Sequence, residues 1–208
     1  MNQQAITPLS ITDLSFAYPG QSIFKNLSVE IPVGVSLVQC EESRGKSTLL
    51  KLLAGELRPD QGSISANGLD SLKDSPHYRK QVYFIDPRTD RFDQISTIQY
   101  LKQVEKEYAD FDQTIISGLL EGLGLTPHQD KPLFMLSAGS KRKVWIAAAI
   151  ASDAKISLVD DLTAALDRGS IEFIIDQLVH IAKNGKRHFI VSHFETVTRV
   201  PFASVITI

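Results

Sequence analysis

The stretch CEESRGKSTLL, residues Cys40–Leu50, follows the apolar run Val35–Gln39. Its second half, Gly45-Lys46-Ser47-Thr48 before a leucine-rich segment, predicts a phosphate-binding loop that opens a helix. Backbone N–H groups at a helix N-terminus attract anions, which gives this prediction its physical basis. The full loop pattern has a glycine where this chain has Cys40. A solvated loop that caps a helix is the alternative interpretation.

The composition is that of an ordinary folded protein. The chain has 208 residues, of which 43% are hydrophobic and 22% charged, values that suit one domain with a substantial core. A formal net charge of −2 gives no indication of a nucleic-acid partner or an anionic membrane surface. The single cysteine, Cys40, excludes an internal disulfide and fits a reducing compartment. No apolar run approaches the roughly 18–20 residues that cross a bilayer, and the N-terminus lacks signal-peptide features, so we expect a cytosolic protein.

Short strands alternate with helices along the chain, which predicts an α/β fold with a largely parallel sheet. Between Thr97 and about Gly124, two apolar helix faces predict a small helical insertion. Asn67-Gly68 predicts a hairpin turn. The predicted strands are Ser10–Phe16, Ile23–Ile31, Val35–Gln39, Gly62–Ala66, Gln81–Ile85, Ile156–Val159, His188–Ser192 and Ser204–Ile208. The other predicted helices run from Lys46 to about Gly55, from Ser137 to Ala151 and from Ser170 to Ala182.

Two further segments carry candidate chemistry. The apolar strand that begins at Lys155 ends in Asp160 and Asp161. An aspartate delivered beside a phosphate loop can hold Mg²⁺, and a pair of acids that caps a strand end is the alternative. The segment Leu136–Lys143 is a small-residue loop that opens a helix at Ser137, a good N-cap. It predicts a second anion-binding helix terminus, and a well-capped basic helix is the alternative.

The joint order of these motifs resembles an ABC-type ATPase, and the resemblance runs from Phe16 to His193. It implies a P-loop NTPase fold of ABC type: a mostly parallel sheet core, an N-terminal antiparallel β part and a small helical insertion. It implies a single domain, 1–208, in which 1–86 and 154–208 form the core with the β subdomain. Residues from about 87 to 153 would form a helical subdomain with the signature loop. In that family the signature acts in trans, so that ATP lies between two subunits.

The resemblance implies ATP and Mg²⁺ as cofactors and assigns roles residue by residue. The implied catalytic residues are Lys46, Asp161 and His193. The implied metal ligands are Ser47, Asp160 and Asp86. The implied ATP-binding residues are Tyr18 at the adenine, then Ser43, Arg44, Gly45, Lys46, Ser47 and Thr48, with Ser137 and Gly139 acting in trans. Asp167 matches the loop residue that links the two sites of a dimer. Without the resemblance, Tyr18 would be a strand-end core aromatic and His193 a structural histidine.

Several positions depart from the family pattern. Cys40 and Ser43 replace glycines, which costs on the order of 1–2 kcal/mol wherever the loop requires a positive φ. Asp161 stands in place of the glutamate that polarises the attacking water, and one methylene less retracts the carboxylate by about 1.5 Å. A misplacement of ~1 Å costs on the order of 10²-fold in rate. Asp86 and Ser140 stand where the family has glutamines. We therefore predict ATP binding with slow hydrolysis.

The resemblance implies an ATP-binding, ATP-hydrolysing subunit of an ABC transporter. Such a subunit would work as a homodimer or paired cassette on a separate transmembrane subunit, without nucleic acid. It would lie in the cytoplasm, peripheral to the inner face of the membrane. Short cassettes of this kind resemble export subunits, including the haem-export type, and little sequence follows His193 to form a regulatory domain. The alternatives are a soluble ABC ATPase that acts on DNA or ribosomes, and an inert nucleotide-binding cassette with a regulatory or assembly role.

Overall fold

Two sheets form the framework of the chain, which a computed structural model describes at residues 7–40 and 45–208. The first sheet contains β1 (Leu9–Tyr18), β2 (Gln21–Ile31), β4 (Gln61–Ala66) and β5 (Leu69–Asp70). It is antiparallel, with the order β2-β1-β4-β5. The second sheet contains β3 (Gly34–Gln39), β6 (Val82–Phe84), β7 (Ile156–Val159), β8 (His188–Ser192) and β9 (Ser204–Thr207). It is parallel throughout, with the order β6-β7-β8-β3-β9, so the predicted fold class is confirmed.

Helices cover both sheets in the described part of the chain. They are α1 (Lys46–Leu53), α2 (Ser75–Lys80), α3 (Thr97–Glu107), α4 (Ile116–Gly122), α5 (Ala138–Ala151) and α6 (Arg168–Asn184). The helical insertion between β6 and β7 is confirmed, and Ser137 is the N-cap of α5 as predicted. None of the helices in the described ranges combines the length and apolarity that a bilayer span requires.

Several predicted boundaries differ from the observed ones by one or two residues: β1 is longer than predicted at both ends, and β6 is shorter at both ends. The predicted start of the last helix at Ser170 is wrong, because Asp167 is the N-cap and accepts a hydrogen bond from the Ser170 amide. Helix α2 has no counterpart among the predicted elements, since a six-residue helix with a proline near its start has little periodicity. The division into a core and a helical subdomain at 87–153 stays a prediction.

The parallel sheet separates two apolar cores, because alternate residues of a strand point to opposite faces. On β3, Val35 and Leu37 belong to the core beneath α5 and α6, whereas Val38 belongs to the core shared with α1 and the antiparallel sheet. On β8, Val191 belongs to the core beneath α5 and α6, and Ile190 belongs to the core shared with α1. Parallel sheets are typically covered on both faces in this way, and their parallel pairing brings the carboxyl ends of the strands to one edge.

Tyrosine hydroxyls tie the helical insertion to the edge of the parallel sheet. The hydroxyl of Tyr83 on β6 donates to the carbonyl of Trp145 at 3.1 Å and lies 2.9 Å from the hydroxyl of Tyr100 on α3. Tyr108 donates to the carbonyl of Val82 at 2.7 Å. Burial raises the pKa of Tyr83 well above its ordinary value, which keeps the hydroxyl a donor at any physiological pH.

The substitution Tyr83→Phe should lower the free energy of unfolding by about 1–3 kcal/mol, because the buried Tyr100 hydroxyl and Trp145 carbonyl lose their shared partner. Urea unfolding of both proteins measures this difference. The control is Tyr18→Phe, which makes the same chemical change at a side chain that is 40% exposed. Equal losses for the two variants would contradict the role given to the buried hydroxyl.

Candidate functional site

The start of α1 forms one part of the candidate site. Gly45 has φ +95°, a left-handed conformation that suits glycine, and a Cβ there would lie 3.3 Å from the ring of Phe24. Lys46 and Ser47 begin the helix and are half-buried, while Thr48 is buried. The first N–H groups of a helix have no partner inside the helix, so they are free to bind an anion.

Two of the predicted binding residues, Ser43 and Arg44, lie outside the described residues, as do Glu41 and Glu42. Cys40, which replaces the first glycine of the loop pattern, is half-buried and follows β3 directly.

Tyr18 ends β1 beside the start of α1. Its hydroxyl lies 3.4 Å from Oγ1 of Thr48, and its ring meets Phe16 edge-on with 5.0 Å between centroids. The side chain is 40% exposed and lies next to α1. This placement suits the predicted contact with an adenine, which stays a prediction.

The turn after β7 carries the two predicted carboxylates. Oδ1 of Asp160 accepts a hydrogen bond from Oγ of Ser192 at 2.7 Å, and this Oγ accepts one from the N–H of Asp161 at 2.8 Å. Asp161 has φ +52°, an uncommon conformation for a residue with a side chain. From the other side, Nη1 of Arg142 donates to the carbonyl oxygens of Asp160 at 2.7 Å and Asp161 at 2.6 Å. The backbone of the turn is thus held on both sides, while the side chain of Asp161 is exposed.

His193 follows β8 at the same edge of the sheet. Its N–H donates to the carbonyl of Val38 on β3 at 3.1 Å, so the residue lies where β3 and β8 both end. The side chain is buried, and its Nε2 lies 2.7 Å from Oγ1 of Thr163. Its Nδ1 lies 2.8 Å from the carbonyl oxygen of Glu195. The orientation of the imidazole is therefore set by the chain itself.

Asp86, a predicted metal ligand, lies against α1 but is engaged in ion pairs. Its carboxylate lies 2.8 Å from Nζ of Lys51 and 3.1 Å from Nε of Arg88. Burial alone would raise the pKa of Asp86, but the hydrogen bonds from Arg88 and Lys51 prevail and hold it well below its usual range. The carboxylate would have to exchange one of these partners for a metal ion.

The start of α5 packs against the loop between β7 and α6 of the same chain. Ser137 accepts a hydrogen bond from the N–H of Ser140 at 3.1 Å and also donates to the Ser140 hydroxyl. A Cβ on Gly139 would lie 2.2 Å from the carbonyl oxygen of Ala165, so only glycine fits there. Ala165 has φ +60° in the loop that follows Asp160 and Asp161. The signature-like loop is thus fixed relative to the predicted catalytic carboxylate.

The structure brings most of the predicted residues together and adds others that the sequence did not identify. Lys46, Asp160 and His193 follow neighbouring parallel strands, and Gly139 packs on the loop between β7 and α6. Asp167, predicted to act across a dimer, accepts hydrogen bonds from Lys143 and Ser170 of its own chain, which hold its pKa well below its usual range. The residues that were missed are partners of the predicted ones: Ser192, Arg142 and Thr163.

The substitution Gly139→Ala should destabilise the chain by about 1–3 kcal/mol, because the new Cβ overlaps the Ala165 carbonyl and forces the two loops apart. The matched control is Gly118→Ala, in α4, where an added Cβ meets open space. That change should stabilise the chain by roughly 0.5–1 kcal/mol through helix propensity. Thermal or urea unfolding measures both effects, and a neutral Gly139→Ala would refute the close approach of the loops.

Comparison with known proteins places this site in a family. The family model described as "ABC transporter" matches residues 25–164. The chain is 32% identical over 183 residues to the cytochrome c biogenesis ATP-binding export protein CcmA of Legionella pneumophila, covering 85% of this chain and 88% of that protein. It is 27% identical over 198 residues to the achromobactin transport ATP-binding protein CbrD of Dickeya dadantii, covering 90% of this chain and 74% of that protein.

Solved structures agree with the sequence relatives. A putative ABC transporter ATP-binding protein from Pyrococcus furiosus matches with a TM-score of 0.79 and 26% identity over 97% of both chains. A structure described as the ATP-binding subunit of an ABC transporter matches with a TM-score of 0.78 at 21% identity, over 90% of this chain and 80% of that one. The family model covers more than half of the chain and the relatives match along most of it, so the chain belongs to the ABC transporter family.

Proposed function

We propose that the chain is the ATP-binding subunit of an ABC transporter and that it hydrolyses ATP slowly. One observation carries the proposal: the start of α1, the Asp160–Asp161 turn and His193 all follow the carboxyl ends of neighbouring parallel strands. In open α/β sheets this edge is where ligands bind. Relatives that are named ATP-binding export or transport proteins support the same assignment.

The start of α1 would bind the phosphates of ATP. The free N–H groups of its first turn and the positive end of the helix dipole both favour a polyanion. Lys46 would place its ammonium on the β- and γ-phosphates, and Tyr18 would offer its exposed ring to the adenine. The left-handed conformation of Gly45 permits the chain to enter the helix without a side chain that would crowd the phosphates.

The residues present suit Mg²⁺. The hydroxyl of Ser47 and the carboxylate of Asp160 are hard oxygen ligands, and Ser192 occupies one acceptor position on Oδ1 of that carboxylate. Bound Mg²⁺ would neutralise charge on the phosphate oxygens during transfer.

Asp161 and His193 would act on the reaction itself. The exposed carboxylate of Asp161 would orient the attacking water and accept its proton, from a turn whose backbone is already fixed. The imidazole of His193 would exchange the contact of its Nε2 with Thr163 for one with the γ-phosphate, while Glu195 keeps its Nδ1. The side chain of Asp161 is about one C–C bond shorter than that of a glutamate. Its carboxylate would therefore only just reach the attacking water, which would slow hydrolysis.

Two subunits would complete the site. In the proposed dimer, Ser137 and Gly139 of one cassette meet the ATP held by α1 of the other, and the exposed side chains of Phe134 and Met135 flank that surface. A separate transmembrane subunit would receive the motion of this dimer as it binds and hydrolyses ATP. The cassette would therefore lie at the cytoplasmic face of a membrane. Relatives with export, import and transport in their names support a transporter without fixing the substrate.

The substitution Asp161→Glu should raise kcat by about tenfold or more, up to the order of 10²-fold, because the longer side chain restores the reach to the attacking water. Phosphate release at saturating MgATP measures the change. The rate per subunit should also rise with protein concentration as dimers form. The matched control is Asp130→Glu, which makes the same change at an exposed turn residue.

An unchanged or lower kcat in Asp161→Glu would refute the short carboxylate as the limit on turnover. Binding of MgATP without hydrolysis in either protein would refute the ATPase and leave the inert cassette. The position of Asp161 in a strained turn, one methylene short of the family residue, is the observation that favours this second function.

A further inference from the structure

The second turn of α5 carries three consecutive basic residues, and each contacts a different segment of the chain. Lys141 forms an ion pair with Asp93, and Lys143 forms one with Asp167. Arg142 lies between them and donates to the backbone of the turn after β7. These cations are therefore engaged inside the chain and do not form an anion-binding face on the helix.

We propose that Arg142 is a positioning residue for the hydrolysis assigned above, on which this inference rests: it holds the turn that carries Asp160 and Asp161. One nitrogen, Nη1, donates to two successive carbonyl oxygens at 2.7 and 2.6 Å. Hydrogen bonds from an ionised donor are roughly twice as strong as neutral ones. The opposite side of the turn is held by Ser192, whose Oγ accepts from the Asp161 amide and whose carbonyl accepts from the Leu162 amide at 3.0 Å.

The contacts from Arg142 and from Ser192 are both needed because the backbone of the turn is strained at Asp161. Asp161 has φ +52°, which costs an ordinary residue on the order of 1–2 kcal/mol. Arg142 stabilises that conformation by satisfying the two carbonyls together. Without it the turn could relax, and the carboxylate of Asp161 would lose its fixed direction while the strand β7 remained in place.

A small cavity lies beside the guanidinium of Arg142. Arg142, Trp145 and Asp160 line a cavity of about 20 Å³ beside Pro87, enough for one water molecule. Removal of the guanidinium would enlarge this cavity and admit water to the back of the turn. Arg142 also lies three residues after Gly139 on the same helix, so a shift of the loop before α5 would reach the catalytic turn of the same chain.

The test compares Arg142→Gln and Arg142→Lys with the wild type, and uses Arg58→Gln, a change at an exposed arginine, as the control. Arg142→Gln should lower kcat about 10- to 100-fold and leave KM for ATP within about threefold, since α1 and Lys46 are untouched. Arg142→Lys should recover at least part of kcat, because an ammonium can also donate to both carbonyls. Hydrogen exchange of the Asp161 and Leu162 amides should accelerate at least tenfold in Arg142→Gln, without a matching change in β8.

The outcomes separate this proposal from the proposed function. Unchanged exchange at Asp161 and Leu162 would overturn the positioning role, with or without turnover. Faster exchange over the whole chain, with no recovery in Arg142→Lys, would show a merely structural arginine and also overturn it. If Arg142→Gln does not fold, the kcat and local exchange of Arg142→Lys against the wild type decide the question. A wild-type chain without hydrolysis would refute the proposed ATPase and with it the catalytic part of this inference, while exchange still decides whether Arg142 holds the turn.

Discussion

The parallel pairing of β3, β7 and β8 is the constraint on which the site depends. Three strands that run in one direction bring Cys40, Asp160 and His193 to one edge, although these residues lie far apart in the sequence. The pairing is stable because two apolar cores cover both faces of the sheet. A slip of one residue in either pairing would turn buried side chains to the wrong face, so packing and the position of the site are fixed together.

Hydrogen bonds then fix the orientation of the turn and the side chains that the parallel sheet brings together. Ser192 ends β8 and binds both the side chain of Asp160 and the backbone of Asp161, while His193, the next residue, contacts Thr163 in the same loop. Arg142 reaches the same turn from α5. The end of β8, the turn after β7 and helix α5 are thus linked by hydrogen bonds: Arg142 donates to backbone carbonyls, and Ser192 donates to the Asp160 carboxylate and accepts from the Asp161 amide. These contacts are directional and leave little freedom in the proposed catalytic geometry.

The sequence predicts the framework better than the contacts. The strands β7 and β8 agree with their predicted limits, because short apolar runs between polar residues are typical of buried parallel strands. The start of α1 at Lys46 and the cap at Ser137 also agree, since glycine and serine have local roles at helix starts. The order of motifs predicted the family correctly.

The partners of these residues could not be predicted from the sequence. Arg142 and Asp161 are 19 positions apart, and no periodicity signals a bond from a side chain to a distant carbonyl. The ion pairs of Asp86 with Lys51 and Arg88 could not be predicted either, since they depend on how α1 packs beside β6. Such contacts arise from tertiary packing, whereas motifs and propensities describe local structure.

The central claim is that α1 and the carboxyl edge of the sheet bind MgATP. Calorimetry of the purified chain with MgATP measures this directly, followed in parallel through the fluorescence of its single tryptophan, Trp145. Lys46→Ala is the test variant, and Lys73→Ala, at an exposed lysine, is the matched control. We expect binding with a Kd on the order of micromolar in the wild type and in Lys73→Ala, and its loss in Lys46→Ala. Equal affinity in Lys46→Ala, or no binding in the wild type, would contradict the account.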